Sequence, residues 1–182
     1  MHHEIIIAGF GGQGIMFAGQ LLTHAGMVEG RHVSWIPSYG PEMRGGTANC
    51  SVVISNREIS SPIVTEPTIL IVFNQPSLEK FENCVKPEGF IFYNSSIIKR
   101  APQNQNASSY GVPVNEMADE LGNPKVANMV MLGALIKITK IVSPETLLSS
   151  LEKALGRNKK NMLSLNEKAL KAGMEYASKK LK

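Results

Sequence analysis

Four glycines and one glutamine within six consecutive residues form the first pattern in this chain that could do chemistry. They follow the apolar run 5–8 directly, and they are Gly9, Gly11, Gly12, Gln13 and Gly14. A glycine-rich turn between a strand and a helix aims backbone N–H groups and the positive end of the helix dipole at an anion. Gln13 adds an amide that both donates and accepts hydrogen bonds. The spacing predicts a nucleotide-like ligand, and the alternative is a tight turn that serves packing alone.

The position that binds ribose in ordinary dinucleotide sites carries no carboxylate here. In those sites an Asp or Glu lies about 20 residues beyond the last glycine. This chain has Ser34, Trp35, Ile36 and Pro37 in that region. The pattern therefore disfavours an NAD(P)-dependent dehydrogenase, and a non-enzymatic nucleotide-sensing module stays open as a further alternative.

A second glycine-rich loop follows and carries recognition side chains on a restricted backbone. Its candidate binding residues are Ser38, Tyr39, Glu42, Arg44, Gly45 and Gly46. An Arg in such a loop is a common fork for phosphate or carboxylate, although Glu42 and Arg44 pairing with each other is the alternative. Polar residues at later strand ends, or at a helix start, are further candidates: Asn74, Gln75, Asn94, Ser95 and Asn128. For these the alternative is turn formation and helix capping.

Apolar runs alternate with helical patterns along most of the chain, which predicts an α/β fold. We expect a single Rossmann-like, mostly parallel sheet with flanking helices, one antiparallel hairpin and a helical C-terminus. The expected strands are 4–8, 32–36, 47–55, 58–60, 68–73, 89–93 and 108–112, with the hairpin turn at Asn56 and Arg57. The expected helices are 14–28, 78–85, 114–121, 126–141, one from Pro144 to about residue 156, and 157–182.

Length, composition and charge favour one globular domain over residues 1–182. The 182 residues are 43% hydrophobic and 19% charged, which is typical of a chain that buries its own core. Residues 157–182 carry eight Lys or Arg against two Glu, so we expect a basic amphipathic helix with Met162 on its inner face. A solvated outer face is the favoured interpretation, and an acidic protein partner is the alternative. Aromatic residues are only 6%, which disfavours nucleic acid as a partner.

Cysteine usage and hydropathy exclude several classes of protein. Cys50 and Cys84 are the only cysteines, too few for an iron–sulfur cluster bound by four thiolates. We expect both to be buried, and we expect no metal site in this chain. The longest apolar stretch, 126–135, is too short to cross a bilayer. The first residues lack the pattern of a secretory signal, so we expect a cytoplasmic protein without a membrane partner.

The glycine motif, the 38–46 loop, the segment 73–75 and the segment 127–134 together resemble the gamma subunit of the 2-oxoacid:ferredoxin oxidoreductases. The likeness extends to about Leu155. Enzymes of that family decarboxylate a 2-oxoacid on thiamine diphosphate, transfer two electrons through iron–sulfur clusters to ferredoxin, and release acyl-coenzyme A. This chain lacks a Gly-Asp-Gly segment for the thiamine cofactor and a cysteine cluster. The resemblance implies that thiamine diphosphate, magnesium and the clusters belong to alpha, beta and delta-type partner subunits.

The resemblance also implies what this chain contributes to such a complex. It has no catalytic residue of its own, and the isolated chain is expected to be inactive. Both glycine-rich loops would line either the coenzyme A side or a subunit contact, with Arg44 and the N–H groups of residues 11–14 orienting coenzyme A. Ferredoxin or another acceptor is reached through the complex. The favoured substrate is 2-oxoglutarate, and pyruvate, branched-chain 2-oxoacids and indolepyruvate are the alternatives.

Overall fold

The computed structural model describes residues 1–38, 48–155 and 160–180, and within them six strands form one sheet. The strands are β1 (His2–Gly9), β2 (His32–Ser38), β3 (Ala48–Ser55), β4 (Ile69–Val72), β5 (Phe90–Asn94) and β6 (Ser108–Val112). Their spatial order is β2-β3-β1-β4-β5-β6. Strands β1, β4, β5 and β6 pair in parallel, and β3 runs antiparallel to both β1 and β2. The predicted α/β class with a mostly parallel sheet is confirmed.

The antiparallel hairpin exists, but it does not lie where the sequence pattern placed it. The expected strand 58–60 is not a strand, and β3 instead pairs with β2, with Val33 opposite Ile54. The backbone N–H of Arg57 donates to Ser55 Oγ at 3.0 Å, a local turn that ends β3. Glu58 and Ser60 are polar and exposed, so this segment has no apolar face that pairing in the sheet would bury.

Strands β1 and β4 are buried on both faces, as their continuous apolar runs predict. On one face, Ile5 and Ile7 join a large core with most of the helices. On the other, Ile6 and Ala8 join a smaller core with Leu78 and residues from the connections around 59–64 and 98–107. The sheet is therefore covered unequally, and the helix-rich layer lies on the first face.

The helices are α1 (Ile15–Val28), α2 (Gln75–Phe81), α3 (Val114–Glu120), α4 (Ala127–Thr139), α5 (Pro144–Leu155) and α6 (Lys160–Lys180), with 3₁₀ turns at Glu82–Cys84 and Pro124–Val126. Helix α1 follows β1 onto the first face, whereas α2 follows β4 onto the other. Neighbouring parallel strands whose helices diverge in this way leave a crevice at their carboxyl ends, the usual ligand position in open α/β sheets. No helix in the described part of the chain is long and apolar enough to cross a membrane.

Helices α4 and α6 pack in unusually close contact. A Cβ on Gly133 would lie 2.1 Å from the Leu170 carbonyl oxygen, and one on Gly173 would lie 2.0 Å from that of Val130. The order of these contacts shows that the two helices run antiparallel. Met162, expected on the inner face of α6, is instead 36% exposed, because it lies about two turns before Leu170, beyond the end of α4 at Thr139.

The two cysteines have different environments. Cys50 on β3 is fully buried, as expected. Cys84 is exposed, so that part of the prediction is wrong. The chain forms a short 3₁₀ turn at Glu82–Cys84. Glu82 at its start and Val85 directly after it are buried, which leaves Cys84 on the exposed side.

Candidate functional site

Five strands end at the same edge of the sheet, and most of the predicted site residues come to that edge. Strands β1 and β2 both run antiparallel to β3, so their carboxyl ends lie together with those of β4, β5 and β6. Gly9 pairs with Ala48, and Ser38 pairs with Asn49. The second loop therefore leaves and rejoins the sheet beside the glycine turn. Its candidate residues Tyr39, Glu42, Arg44, Gly45 and Gly46 lie outside the described residues.

Two glycines of the turn are required by their backbone angles, and a third is required by the close packing of neighbouring side chains. Gly12 and Gly14 have φ angles of +90° and +72°, values that side-chain-bearing residues rarely adopt. A Cβ on Gly14 would also lie 2.5 Å from Asn128 Nδ2. A Cβ on Gly9 would lie 2.5 Å from Gln13 Oε1 and 2.9 Å from Phe73 Cβ. These positions fix a tight path from β1 into α1.

Gly11 differs from its neighbours because none of the described residues requires a glycine there. No atom of those residues lies within 4 Å of the position that its Cβ would occupy. Its φ angle is also outside the left-handed range. A side chain at this position would project into open space beside the first turn of α1. Such a position fits the close approach of a group from outside this chain.

The first turn of α1 presents unpaired N–H groups. Gly14 precedes the helix without a side-chain cap, and no acidic residue lies in the first turn. The first bond into the helix is from Ala18 N–H to the Gly14 carbonyl at 2.9 Å. The N–H groups of Ile15, Met16 and Phe17 have no acceptor among the described residues. Together with the helix dipole they form a site suited to an anion.

A depression of about 400 Å³ opens beside these N–H groups. It is lined by the turn itself, by the start of β3 and by apolar side chains: Phe10, Gly11, Gly12, Gly14, Ile15, Met16, Phe17 and Ala48. Phe10 is 41% exposed, which is unusual for a phenylalanine. Sequence reasoning missed Phe10 and Phe17 as site residues. The signal was available, since one lies inside the glycine motif and the other three positions after it.

Gln13 bridges the glycine turn to the end of the neighbouring strand. Its Oε1 accepts the Phe10 N–H at 2.7 Å, and its Nε2 donates to the Phe73 carbonyl at 3.4 Å. Phe73 directly follows β4, so this side chain spans the crevice between β1 and β4. One N–H and one lone pair of the amide remain for a ligand. In the described chain, its visible role is to hold the turn in place.

Asn74 and Asn128 flank the turn, and each uses only part of its amide. Asn74 Oδ1 accepts the Ser77 N–H at 2.8 Å and caps α2, while Asn128 Nδ2 donates to the Gly14 carbonyl at 3.3 Å. Asn74 Nδ2 and Asn128 Oδ1 are buried without a partner among the described residues. A buried polar atom without a partner costs about 1–3 kcal/mol. Both residues lie beside the glycine turn, and the Asn74 Oδ1 has the capping role that was the alternative to ligand binding.

Gln75 and Asn94 are engaged elsewhere. Gln75 Nε2 donates to Glu79 Oε1 at 2.9 Å along the surface of α2, and its Oε1 accepts the Arg100 N–H at 3.4 Å. Asn94 Nδ2 donates to Asn115 Oδ1 at 2.8 Å, which joins the end of β5 to α3. Asn115 was not predicted, because its partner lies 21 residues away in the sequence. Both predicted residues lie at the correct edge, but their observed hydrogen bonds are structural.

The one thiol near this edge is protonated. Burial raises the pKa of Cys50 to about 11, and its Sγ donates to the Ile15 carbonyl at 3.8 Å. Within the ranges that the structure describes, no three His, Cys, Asp or Glu side chains converge as metal ligands. The arrangement can therefore bind and orient an anion, through backbone N–H groups rather than through a nucleophile or a metal.

Comparison with known proteins identifies the family. A family model described as pyruvate ferredoxin/flavodoxin oxidoreductase matches residues 4–176. This chain belongs to that family. The ketoisovalerate oxidoreductase subunit VorA of Methanothermobacter marburgensis is 39% identical over 178 residues, which cover 98% of this chain but 37% of VorA. The 2-oxoglutarate synthase subunit KorC of Methanocaldococcus jannaschii is 36% identical over 176 residues, 92% of either chain. The chain thus spans little more than a third of VorA and nearly all of KorC.

Two solved structures share the fold over 97% of this chain. The gamma subunit of a keto/oxoacid ferredoxin oxidoreductase from Geobacter sulfurreducens has a TM-score of 0.83, 29% identity and 98% coverage of its own chain. A 2-oxoglutarate:ferredoxin oxidoreductase from Magnetococcus marinus, with 2-oxoglutarate, coenzyme A and succinyl-CoA bound, has a TM-score of 0.87, 26% identity and 31% coverage of its own chain. The resemblance to the gamma subunits is confirmed.

Proposed function

We propose that this chain is the gamma subunit of a multi-subunit 2-oxoacid:ferredoxin oxidoreductase and that its glycine-turn edge positions coenzyme A. The observation that carries the proposal is the first turn of α1 beside Gly11, where the described residues leave both unpaired N–H donors and open space. Support comes from the similar Magnetococcus marinus enzyme, which binds coenzyme A and succinyl-CoA. The chain binds and orients, and the chemistry takes place on its partners.

Coenzyme A has an anionic part and a less polar arm, and the depression offers N–H donors for the first and apolar side chains for the second. Its phosphates are anionic acceptors, which suit the N–H groups of Ile15, Met16 and Phe17 and the positive end of the helix dipole. The exposed Phe10 and the half-buried Phe17 provide apolar surface for the pantetheine arm. Arg44 of the second loop supplies a guanidinium fork for a further phosphate oxygen. Fixing the arm in this way raises the effective concentration of the thiol at the acyl intermediate.

The cofactors of the reaction do not fit the residues of this chain. Two cysteines cannot ligate an iron–sulfur cluster through four thiolates. The described residues also contain no group of three His, Cys, Asp or Glu side chains that could bind the magnesium ion of thiamine diphosphate. We therefore assign thiamine diphosphate, magnesium and the clusters to alpha, beta and delta-type partner subunits, with ferredoxin or another acceptor reached through the complex.

The proposed substrate is 2-oxoglutarate. The similarity to KorC extends over 92% of both chains, whereas the similarity to VorA covers 37% of that protein. Similarity over nearly the full length of a 2-oxoglutarate synthase subunit supports this proposal, although VorA has the higher identity. The reconstituted enzyme should be assayed side by side on 2-oxoglutarate, pyruvate, 2-ketoisovalerate and indolepyruvate. Inactivity on 2-oxoglutarate, with activity on another of these acids, would refute the substrate assignment.

Anaerobic affinity purification from the native organism tests the subunit assignment. Mass spectrometry should identify co-purifying chains that bind thiamine diphosphate and iron–sulfur clusters. Recovery of this chain alone, under conditions that preserve other complexes, would contradict the assignment and favour a nucleotide-sensing module. Saturable nucleotide binding by the isolated chain would then be the property to measure.

Replacement of Arg44 tests the coenzyme A role within the assembled enzyme. We expect Arg44→Ala to raise the KM for coenzyme A about tenfold, because a charge-assisted hydrogen bond contributes about 1.5–3 kcal/mol. Arg57→Ala is the matched control, since Arg57 is exposed and follows the carboxyl end of β3, at the opposite edge of the sheet. An unchanged KM in an intact Arg44→Ala complex would show that this residue does not bind coenzyme A.

A further inference from the structure

A second cavity, of about 320 Å³, lies between α1 and α5. Its apolar walls are Phe17 and Leu21 on α1 and Ala154 on α5. Phe17 also lines the depression at the glycine turn, so the two cavities are neighbours with one side chain in common. The volume and the mostly apolar walls are those of a site for a small organic molecule.

Polar side chains in this cavity carry hydrogen-bond donors and no negative charge. Gln20 and His24 come from α1, and Lys153 comes from α5. His24 Nδ1 is 3.0 Å from Oγ of Ser150, a serine that is 1% exposed, so the imidazole is held against α5 with Nε2 left for a ligand. Among the described residues, no carboxylate lines the cavity and none forms an ion pair with Lys153.

We propose that the α1–α5 cavity binds a small organic monocarboxylate with an apolar body. Lys153, with His24 and Gln20 beside it, complements one carboxylate, and charge-assisted hydrogen bonds are the strong ones. Phe17, Leu21 and Ala154 accommodate the apolar body. A dicarboxylate binds poorly because its second charge would lose water against these apolar walls. The site lies outside the proposed coenzyme A function, and neither proposal depends on the other.

NMR titration of the full-length chain with phenylacetate tests this proposal directly. We expect saturable shifts of residues on α1 and α5, with a Kd on the order of 1 mM, as the size of the ligand suggests. Phenylacetamide removes the charge without changing the shape, and succinate adds a second carboxylate. We expect both to bind at least about tenfold more weakly.

Three variants locate the binding site. Lys153→Met keeps the length of the exposed side chain and removes its charge, so we expect about tenfold weaker binding of phenylacetate. Ala154→Leu fills the cavity without altering a charge, and it should abolish saturable binding. Lys168→Met, an exposed lysine on α6, is the matched control and should bind phenylacetate as the wild type does. Equal affinity for phenylacetate and phenylacetamide, an unchanged Kd in Lys153→Met, or no saturation would each overturn the proposal.

Discussion

Gln13 shows how one side chain can define the candidate site. It accepts from the backbone of Phe10 and donates to the carbonyl of Phe73, so it ties the glycine turn to the end of β4. Gln13→Ala removes both hydrogen bonds and should lower the free energy of unfolding by about 1–2 kcal/mol. Urea denaturation measures this loss.

Gln105→Ala is a suitable control for Gln13→Ala. Gln105 is exposed, and its side chain forms no hydrogen bond with a described residue, so its replacement should change the free energy of unfolding by less than about 0.5 kcal/mol. Equal effects of the two substitutions would contradict the bridging role of Gln13.

The two thiols should differ sharply in reactivity. Cys84 is exposed, whereas Cys50 is buried and its pKa is raised to about 11. Because the thiolate is the reactive form, Cys50 should be almost inert at pH 8. We expect a thiol reagent to label Cys84 rapidly and Cys50 only after unfolding, as peptide mass spectrometry will show. Cys84→Ser should abolish the rapid phase, and rapid labelling of Cys50 in the folded protein would contradict its burial.

At the scale of elements, the contact between α4 and α6 leaves no room for a side chain at two glycines. A Cβ on Gly133 or Gly173 would lie 2.1 or 2.0 Å from a backbone carbonyl oxygen of the other helix, far inside van der Waals contact. Gly173→Ala should therefore destabilise the protein by about 2 kcal/mol, even though Ala favours helix by about 1 kcal/mol over Gly. Thermal unfolding will measure the effect.

Ser164→Ala provides the control on the same helix. Ser164 is exposed, so its replacement should leave the melting temperature nearly unchanged. A Gly173→Ala variant as stable as the wild type would show that α6 can move away from α4 without cost.

Sequence patterns predicted helices, strands and turns correctly where residues close together in the sequence determine the structure. The glycine motif predicted the turn from β1 to α1, and continuous apolar runs predicted the doubly buried strands. The prediction of a strand at 58–60 was wrong because strand pairing depends on residues far apart in the sequence, and β3 pairs with β1 and β2. Met162 and Cys84 were misplaced because their burial depends on where another helix ends and how a short turn faces.

The residue types of the site were predictable, but their contacts were not. Glycines at 12 and 14 follow from the backbone conformation that such a turn needs. The bonds from Gln13 to Phe73 and from Asn128 to Gly14 join positions 60 and 114 residues apart, so no local pattern reports them. Phe10 and Phe17 were missed because apolar side chains in a sequence are ordinarily interpreted as core.

At the scale of the whole molecule, the fold brings distant segments to one edge of the sheet. The glycine turn, the end of β4 and the start of α4 meet around the first turn of α1. Helix α6 also reaches this edge, where the Tyr176 hydroxyl donates to the Gly111 carbonyl of β6 at 3.3 Å. The proposed coenzyme A role thus rests on this one site, where the described residues leave N–H groups of α1 without an acceptor.

Gly11→Ala is the measurement that tests this account most directly. The fold does not require glycine there, so the variant should unfold at the wild-type temperature and assemble with its partner subunits. In the reconstituted enzyme we expect the KM for coenzyme A to rise about tenfold, with the KM for the 2-oxoacid unchanged, because the added methyl group blocks close approach to α1. An assembled Gly11→Ala enzyme with the wild-type KM for coenzyme A, or a folded variant that fails to assemble, would contradict the proposed role.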